Sequence, residues 1–241
     1  MMRQLPIASS MHPEQLAVIA GWADTRAAFA RWNNDVAGIV RAWMGTSLLI
    51  GIALLLSTWA IGTHVAPQDV GSLATFSGEA RVGHAVHVFG RNLLVLAMHA
   101  LICVAGYMAA TSVVIAADAY TGWKRRAHLV ARPATFLFIG WITISSFAMQ
   151  AWTLGSAAPR VAAAYGLEVW QLLAVVSVHA IPELVAVFLP LGAWLVIARR
   201  RAWNELLAAS ILATAIALPL LVMSAVVEEF VTPLLLEAVV G

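Results

Sequence analysis

The chain has 241 residues, of which 62% are apolar and only 11% charged, with a mean hydropathy of +0.87. A soluble domain runs near 45–50% apolar and about 25% charged, so this composition excludes an ordinary soluble fold. The net charge of +2 is carried by basic residues scattered between apolar runs, which excludes a nucleic-acid surface, and a single cysteine, Cys103, excludes an intrachain disulfide framework.

The first forty residues carry Arg3, Glu14, Asp24, Arg26, Arg31 and Asp35 and contain no uninterrupted apolar core, so no cleavable leader is expected. Between 14 and 42, Leu16, Ile19, Trp22, Phe29, Trp32, Val36, Ile39 and Trp43 recur mostly at spacings of three, four and seven. They form one apolar stripe opposite Asp24, Arg31 and Asp35, which predicts a cytoplasmic amphipathic helix on the membrane or under the bundle. Residues 1–42 are accordingly set apart from a membrane domain over 43–241.

Five apolar runs reach the length that crosses ~30 Å of hydrocarbon: 44–61, 93–117, 134–154, 169–198 and 206–227. Pro133 suits the start of the third. The fourth is too long for a straight crossing, since thirty residues of helix span about 45 Å. Pro182 within it suggests a break at Ala180-Ile181, with Pro182-Glu183 opening a new helix. Residues 67–88 read as a polar outer loop, and residues 230–240 as a short apolar tail. The fold class is thus an all-α membrane protein, a bundle of about five transmembrane helices.

Orientation follows from the basic residues. With the N-terminus inside, the inner segments hold eleven of the fourteen: Arg3, Arg26, Arg31, Arg41, Lys124, Arg125, Arg126, Arg132 and Arg199 to Arg201. Arg81, Arg91 and Arg160 fall outside. This bias predicts N-in, C-out. Trp43, Trp59, Trp123, Trp152, Trp170, Trp194 and Trp203 lie near the ends of the runs, where an amphipathic ring prefers to sit; Trp141 lies inside the third.

Polar groups inside hydrocarbon are costly and become functional candidates. They are His99, Gln150, and above all His179 and Glu183, which share a face at i, i+4 if the helix is continuous. The functional reading is a proton or ion site, or a polar partner contact, near mid-membrane; the structural one is a buried pair that locks helix packing. No metal centre is expected: His84 and His87, with His64 nearby, make only a bare H-x-x-H with no carboxylate or cysteine at motif spacing. No H-E-x-x-H, G-x-S-x-G or Gly-rich phosphate loop occurs, so no catalytic residue and no cofactor is expected. Glu228 and Glu229 mark a membrane exit, a contact for an outer partner, or a pair with Arg91 or Arg160.

Three segments together carry a resemblance. Val88-Phe89-Gly90-Arg91-Asn92-Leu93-Leu94 precedes an apolar helix containing Gly106; His179-Ala180-Ile181-Pro182-Glu183-Leu184 follows; Val227-Glu228-Glu229-Phe230-Val231-Thr232-Pro233 comes last. In order and spacing they resemble the stage II sporulation protein M family over roughly residues 40–235. Asn92 matches its Asn before a small-residue-rich helix, His179 and Glu183 its His-Gly-x-x-Glu-Leu with Ala180 in place of Gly, and Glu228, Phe230, Thr232 and Pro233 its C-terminal Glu-x-Phe-x-Thr-Pro.

The resemblance implies a non-enzymatic, multi-pass protein of the bacterial cytoplasmic membrane. It would act as a scaffold or accessory subunit of an envelope complex, touching the lipid bilayer and other membrane or envelope proteins. A cell-wall hydrolase, or a MoxR-type ATPase system with von Willebrand-like proteins, are the implied partners; homo-oligomerisation is left open. The alternative is a transporter or permease-like subunit with His179 and Glu183 lining a pathway. A third reading, an intramembrane protease, needs a further ligand such as His99 beside them.

Overall fold

The computed structural model describes residues 13–66 and 78–241. Residues 1–12 and the 67–77 part of the predicted outer loop lie outside the described residues. Every element among the described residues is helical. Five helices are long and apolar enough to cross a membrane: Val36–Gly62, Arg81–Thr111, Gly122–Ala164, Val169–Arg200 and Trp203–Val240. The chain is a multi-pass, all-α membrane bundle.

Helix α1 (Pro13–Trp32) stops at Asn33-Asn34, and Asp35 restarts the chain as the N-cap of α2 (Val36–Gly62), its Oδ1 accepting from the Gly38 amide at 3.0 Å. The first spanning helix therefore begins eight residues before the run at 44, inside the stretch read as amphipathic. Short Asx caps of this kind satisfy orphan helix amides and fix where a helix starts.

The buried face of α1 is Gly21, Thr25, Ala28 and Trp32; Ile19, Trp22 and Phe29 stay exposed. The predicted polar face is also partly turned inward, for Tyr107 Oη donates to Asp24 Oδ2 and Arg31 pairs with Glu205. Small residues win the contact because they let α1 approach the bundle end closely, while large apolar side chains outside the protein suit a bilayer interface.

α3 (Gly78–Tyr107) begins fifteen residues before the predicted span, so 78–88 is helix and not loop. A π-helical turn, Met108–Ser112, leads into α4 (Val113–Ala119). α5 (Gly122–Ala164) holds 43 residues and runs through Pro133 and Pro159. At 1.5 Å per residue it reaches about 65 Å, twice the hydrocarbon thickness, so it projects from the membrane. Pro133 thus sits inside a helix, not at its start; the exposed residues around it leave the carbonyl that loses its donor accessible to solvent.

α6 (Val169–Arg200) is continuous through Pro182 and Pro190, and the predicted break at Ala180-Ile181 is absent. Buried in the middle of the bundle, it packs against α2 and α3 and against α7 (Leu206–Val226). Such packing holds a proline-bearing helix together where an exposed one would bend or break. Neighbours also approach its carbonyls: the Ser47 hydroxyl lies between the Trp43 carbonyl at 2.8 Å and that of Phe188 at 3.1 Å, and Cys103 Sγ donates to Pro190 at 3.3 Å. The helix ends in a tight hairpin with Arg201 left-handed at φ 56.

The buried stripe of α2 is Trp43, Ser47, Gly51, Leu54, Thr58 and Gly62, small at four of its six positions; it meets α6 and, at Thr58 and Gly62, α5 as well. At Gly192 of α6 an added Cβ would lie 2.7 Å from the Trp43 carbonyl and closer still to the Ser47 hydroxyl. Only glycine permits that crossing. After α7, a second π-helical turn, Val227–Val231, passes without interruption into α8 (Thr232–Val240). The last span therefore continues to 240, and the predicted tail is part of it.

Candidate functional site

One face of α3 presents His84, Val88, Asn92, Leu96, His99 and Cys103 at steps of four, four, four, three and four, and from Val88 onward these side chains are buried. Helical periodicity alone thus turns Asn92 inward, one turn beyond Val88. Because α6 is unbroken, His179 and Glu183 share a face towards it.

The third contributor is the turn between α7 and α8. Pro233 has no N–H to close on residue 229, so the ladder widens over Val227–Val231, and Thr232 Oγ1 donates instead to the Val227 carbonyl at 3.2 Å. This turn directs two consecutive acids to two different helices. Glu229, 8% exposed, meets His84 of α3 at 2.7 Å (Oε2 to Nδ1), and Glu228 faces α6.

The contacts close on one another. Asn92 Nδ2 donates to Glu183 Oε1 at 2.6 Å, and His179 Nδ1 lies 2.8 Å from Thr232 Oγ1. His179, Glu183 and Glu228 each offer one ligand atom, all within 4.8 Å of one another. The Arg91 guanidinium, exposed one residue before Asn92, acts electrostatically on both Glu183 and Glu228. Chemically, the cluster presents two carboxylates and an imidazole to whatever carries positive charge or hydrogen-bond donors.

Comparison of the chain with protein families, with curated proteins and with solved structures finds no match.

The depth of the site follows from helix rise. Tyr107 and Leu206 lie at the end where α1 packs, the end assigned to the cytoplasm by the basic residues. Counting from them, Asn92 and Glu228 are roughly 22 and 33 Å away along their helices at 1.5 Å per residue. Glu183 stands near the middle of α6, the fifteenth of its 32 residues, so the cluster lies between the centre of the bundle and the end away from α1.

All three motif segments singled out in the sequence contribute. Asn92, His179, Glu183, Glu228 and Thr232 meet in the cluster, Pro233 acts through the backbone turn, and Pro182 lies within continuous α6 without breaking it. Phe230 is 41% exposed. His99 is elsewhere: its Nδ1 is 2.9 Å from the Val95 carbonyl and its ring lies edge-on to Phe188 at 5.2 Å, so it is not a further ligand beside His179. Gln150 bonds locally to Ser146, and His64 to the Ala60 carbonyl. The inward aim of Glu228 and the His84–Glu229 pair escaped the sequence reading. The signal for both is the Thr232-Pro233 pair, which forces a wide turn just before it.

Proposed function

We propose that this chain is a non-enzymatic scaffold or accessory subunit of an envelope complex in the bacterial cytoplasmic membrane, of the stage II sporulation protein M type. One observation carries the reading. Three segments that resemble the motifs of that family, separated by 91 and 53 residues in their bonded pairs, converge on a single cluster. A resemblance spread along a chain gains weight when the matched residues touch.

The same cluster argues for binding over turnover. Its hydrogen bonds run between helices: Asn92 ties α3 to α6, Thr232 ties α8 to α6, and Glu229 ties the α7–α8 turn to α3. Such bonds hold three spans in one arrangement, which is what a fixed docking platform requires. Outer-surface partners would then be a cell-wall hydrolase or von Willebrand-like proteins, while the projecting, basic start of α5 and the exposed face of α1 serve the cytoplasmic side and a MoxR-type ATPase.

The test is co-purification in mild detergent from the native host, with mass spectrometry of the recovered proteins. Recovery of one of these partner classes in stoichiometric amount is expected. A chain that comes down alone, and that by itself moves protons or ions across a reconstituted bilayer, overturns the scaffold in favour of a transport subunit.

A further inference from the structure

We propose that His179, Glu183 and Glu228 form a binding site for a first-row divalent cation of the zinc type inside the bundle. This goes beyond the scaffold reading and does not depend on it.

The donor set comes first. One imidazole nitrogen and one carboxylate four residues apart on α6, and a second carboxylate from the α7–α8 turn, bring a ligand atom each to within 4.8 Å of the others. In a tetrahedral site with bonds near 2.1 Å the ligand atoms stand about 3.4 Å apart. The remaining closure lies within the reach of two glutamate side chains, each with three rotatable bonds. An imidazole with carboxylates suits zinc or iron better than calcium or magnesium, which prefer all-oxygen shells.

The orientation of His179 is the second observation. The site requires the tautomer in which the Thr232 proton goes to the Val227 carbonyl at 3.2 Å and Thr232 Oγ1 accepts from His179 Nδ1–H at 2.8 Å, an arrangement these contacts allow. That tautomer leaves the Nε2 lone pair open, the state in which histidine ligates metals, its other nitrogen held by an outer partner. Asn92 does the equivalent for Glu183. Its amide occupies Oε1 and leaves Oε2 available.

Third, Glu228 has an unmet need. It is half-buried in an apolar bundle and makes no hydrogen bond among the described residues, although it faces another carboxylate. Arg91, from an exposed position, and His84 offset part of that charge, while Glu229 adds to it. Two carboxylates turned together in a low-dielectric region repel, and a divalent cation between them turns the repulsion into attraction. Three protein ligands also leave a fourth position for water or for a donor atom from a partner.

The experiment uses the full chain, purified in detergent by a tag without histidine and with no chelator present. Metal content is read by elemental analysis, and affinity by competition with a chromophoric zinc chelator. The wild type is expected to hold one zinc-type ion per chain. Glu183→Gln and Glu228→Gln are each expected to weaken zinc binding at least tenfold, while Glu168→Gln leaves it unchanged. Should the variants fail to fold, cobalt loaded into the chelator-stripped wild type supplies the second readout. A tetrahedral visible spectrum is expected, abolished by one equivalent of zinc. Substoichiometric metal, equal retention of metal by a folded Glu183→Gln/Glu228→Gln double variant, or an octahedral cobalt spectrum overturns the site. Partner recovery is scored separately, so loss of the metal site leaves the scaffold reading standing.

Discussion

Asn92 of α3 donates to Glu183 of α6 across 2.6 Å, joining residues 91 positions apart in the chain. The bond crosses between helices in the apolar part of the bundle, where a carboxylate that loses its donor finds little water. Hydrogen bonds to charged groups are worth about 1.5–3 kcal/mol, and a lost donor adds the cost of the stranded acceptor. Asn92→Ala should therefore lower the unfolding free energy by an amount in that range, read as a lower unfolding midpoint in detergent. Asn92→Asp, which sets a second carboxylate against Glu183, should lower it further.

Thr232 is the residue through which His179 is oriented. Thr232→Val keeps the shape and removes both the acceptor for Nδ1 and the donor to Val227, whereas Thr232→Ser keeps them. Loss of an outer partner to a ligating histidine costs roughly 10–100-fold in metal affinity. Chelator competition should show a loss of that order in the valine variant and recovery in the serine variant.

The crossing of α2 and α6 depends on Gly192. An added methyl would meet the Trp43 carbonyl at 2.7 Å, and backbone there cannot move aside. Gly192→Ala should destabilise the bundle by about 1–3 kcal/mol, the usual range for overpacking. Gly140→Ala on α5, where nothing lies within 4 Å of the new methyl, is the control and should be neutral. Unfolding midpoints in the same detergent check both.

Helix α1 is held by Glu205, which accepts from the Arg31 guanidinium at 3.0 Å and from the Trp32 indole at 3.2 Å. Arg31 is 47% exposed, so the ion pair alone contributes at most about 1 kcal/mol. The indole bond and the Trp32–Trp43 edge contact at 5.4 Å add to it. Glu205→Ala should leave the spans intact and raise the rate of proteolytic cleavage at the Asn33-Asn34 joint. Mass mapping of the fragments reads the result.

Hydropathy made the five spans legible because hydrocarbon imposes one requirement on every crossing residue. Their ends were not, since the requirement stops at the headgroups. The first fifteen residues of α3 and the early turns of α5 are polar enough to pass for loops, yet they continue helices already nucleated in the membrane. Pro182 was misleading for a related reason. A proline breaks a helix only where its neighbours allow, and α6 is enclosed by α2, α3 and α7. Within the site, His179 and Glu183 were visible as a pair because their spacing is local. Their union with Asn92, Glu228 and Thr232 is a property of three helices packed together, and no spacing along the chain encodes it. On α1 the predicted stripe is divided: the bundle took Trp32 with the small-residue face and left Ile19, Trp22 and Phe29 outside.

Proton flux into proteoliposomes containing the purified chain alone tests the scaffold most directly against its rival. The account predicts a leak no greater than that of protein-free liposomes, and no change on Glu183→Gln. A saturable flux that Glu183→Gln abolishes would contradict it and make the polar cluster a transport site.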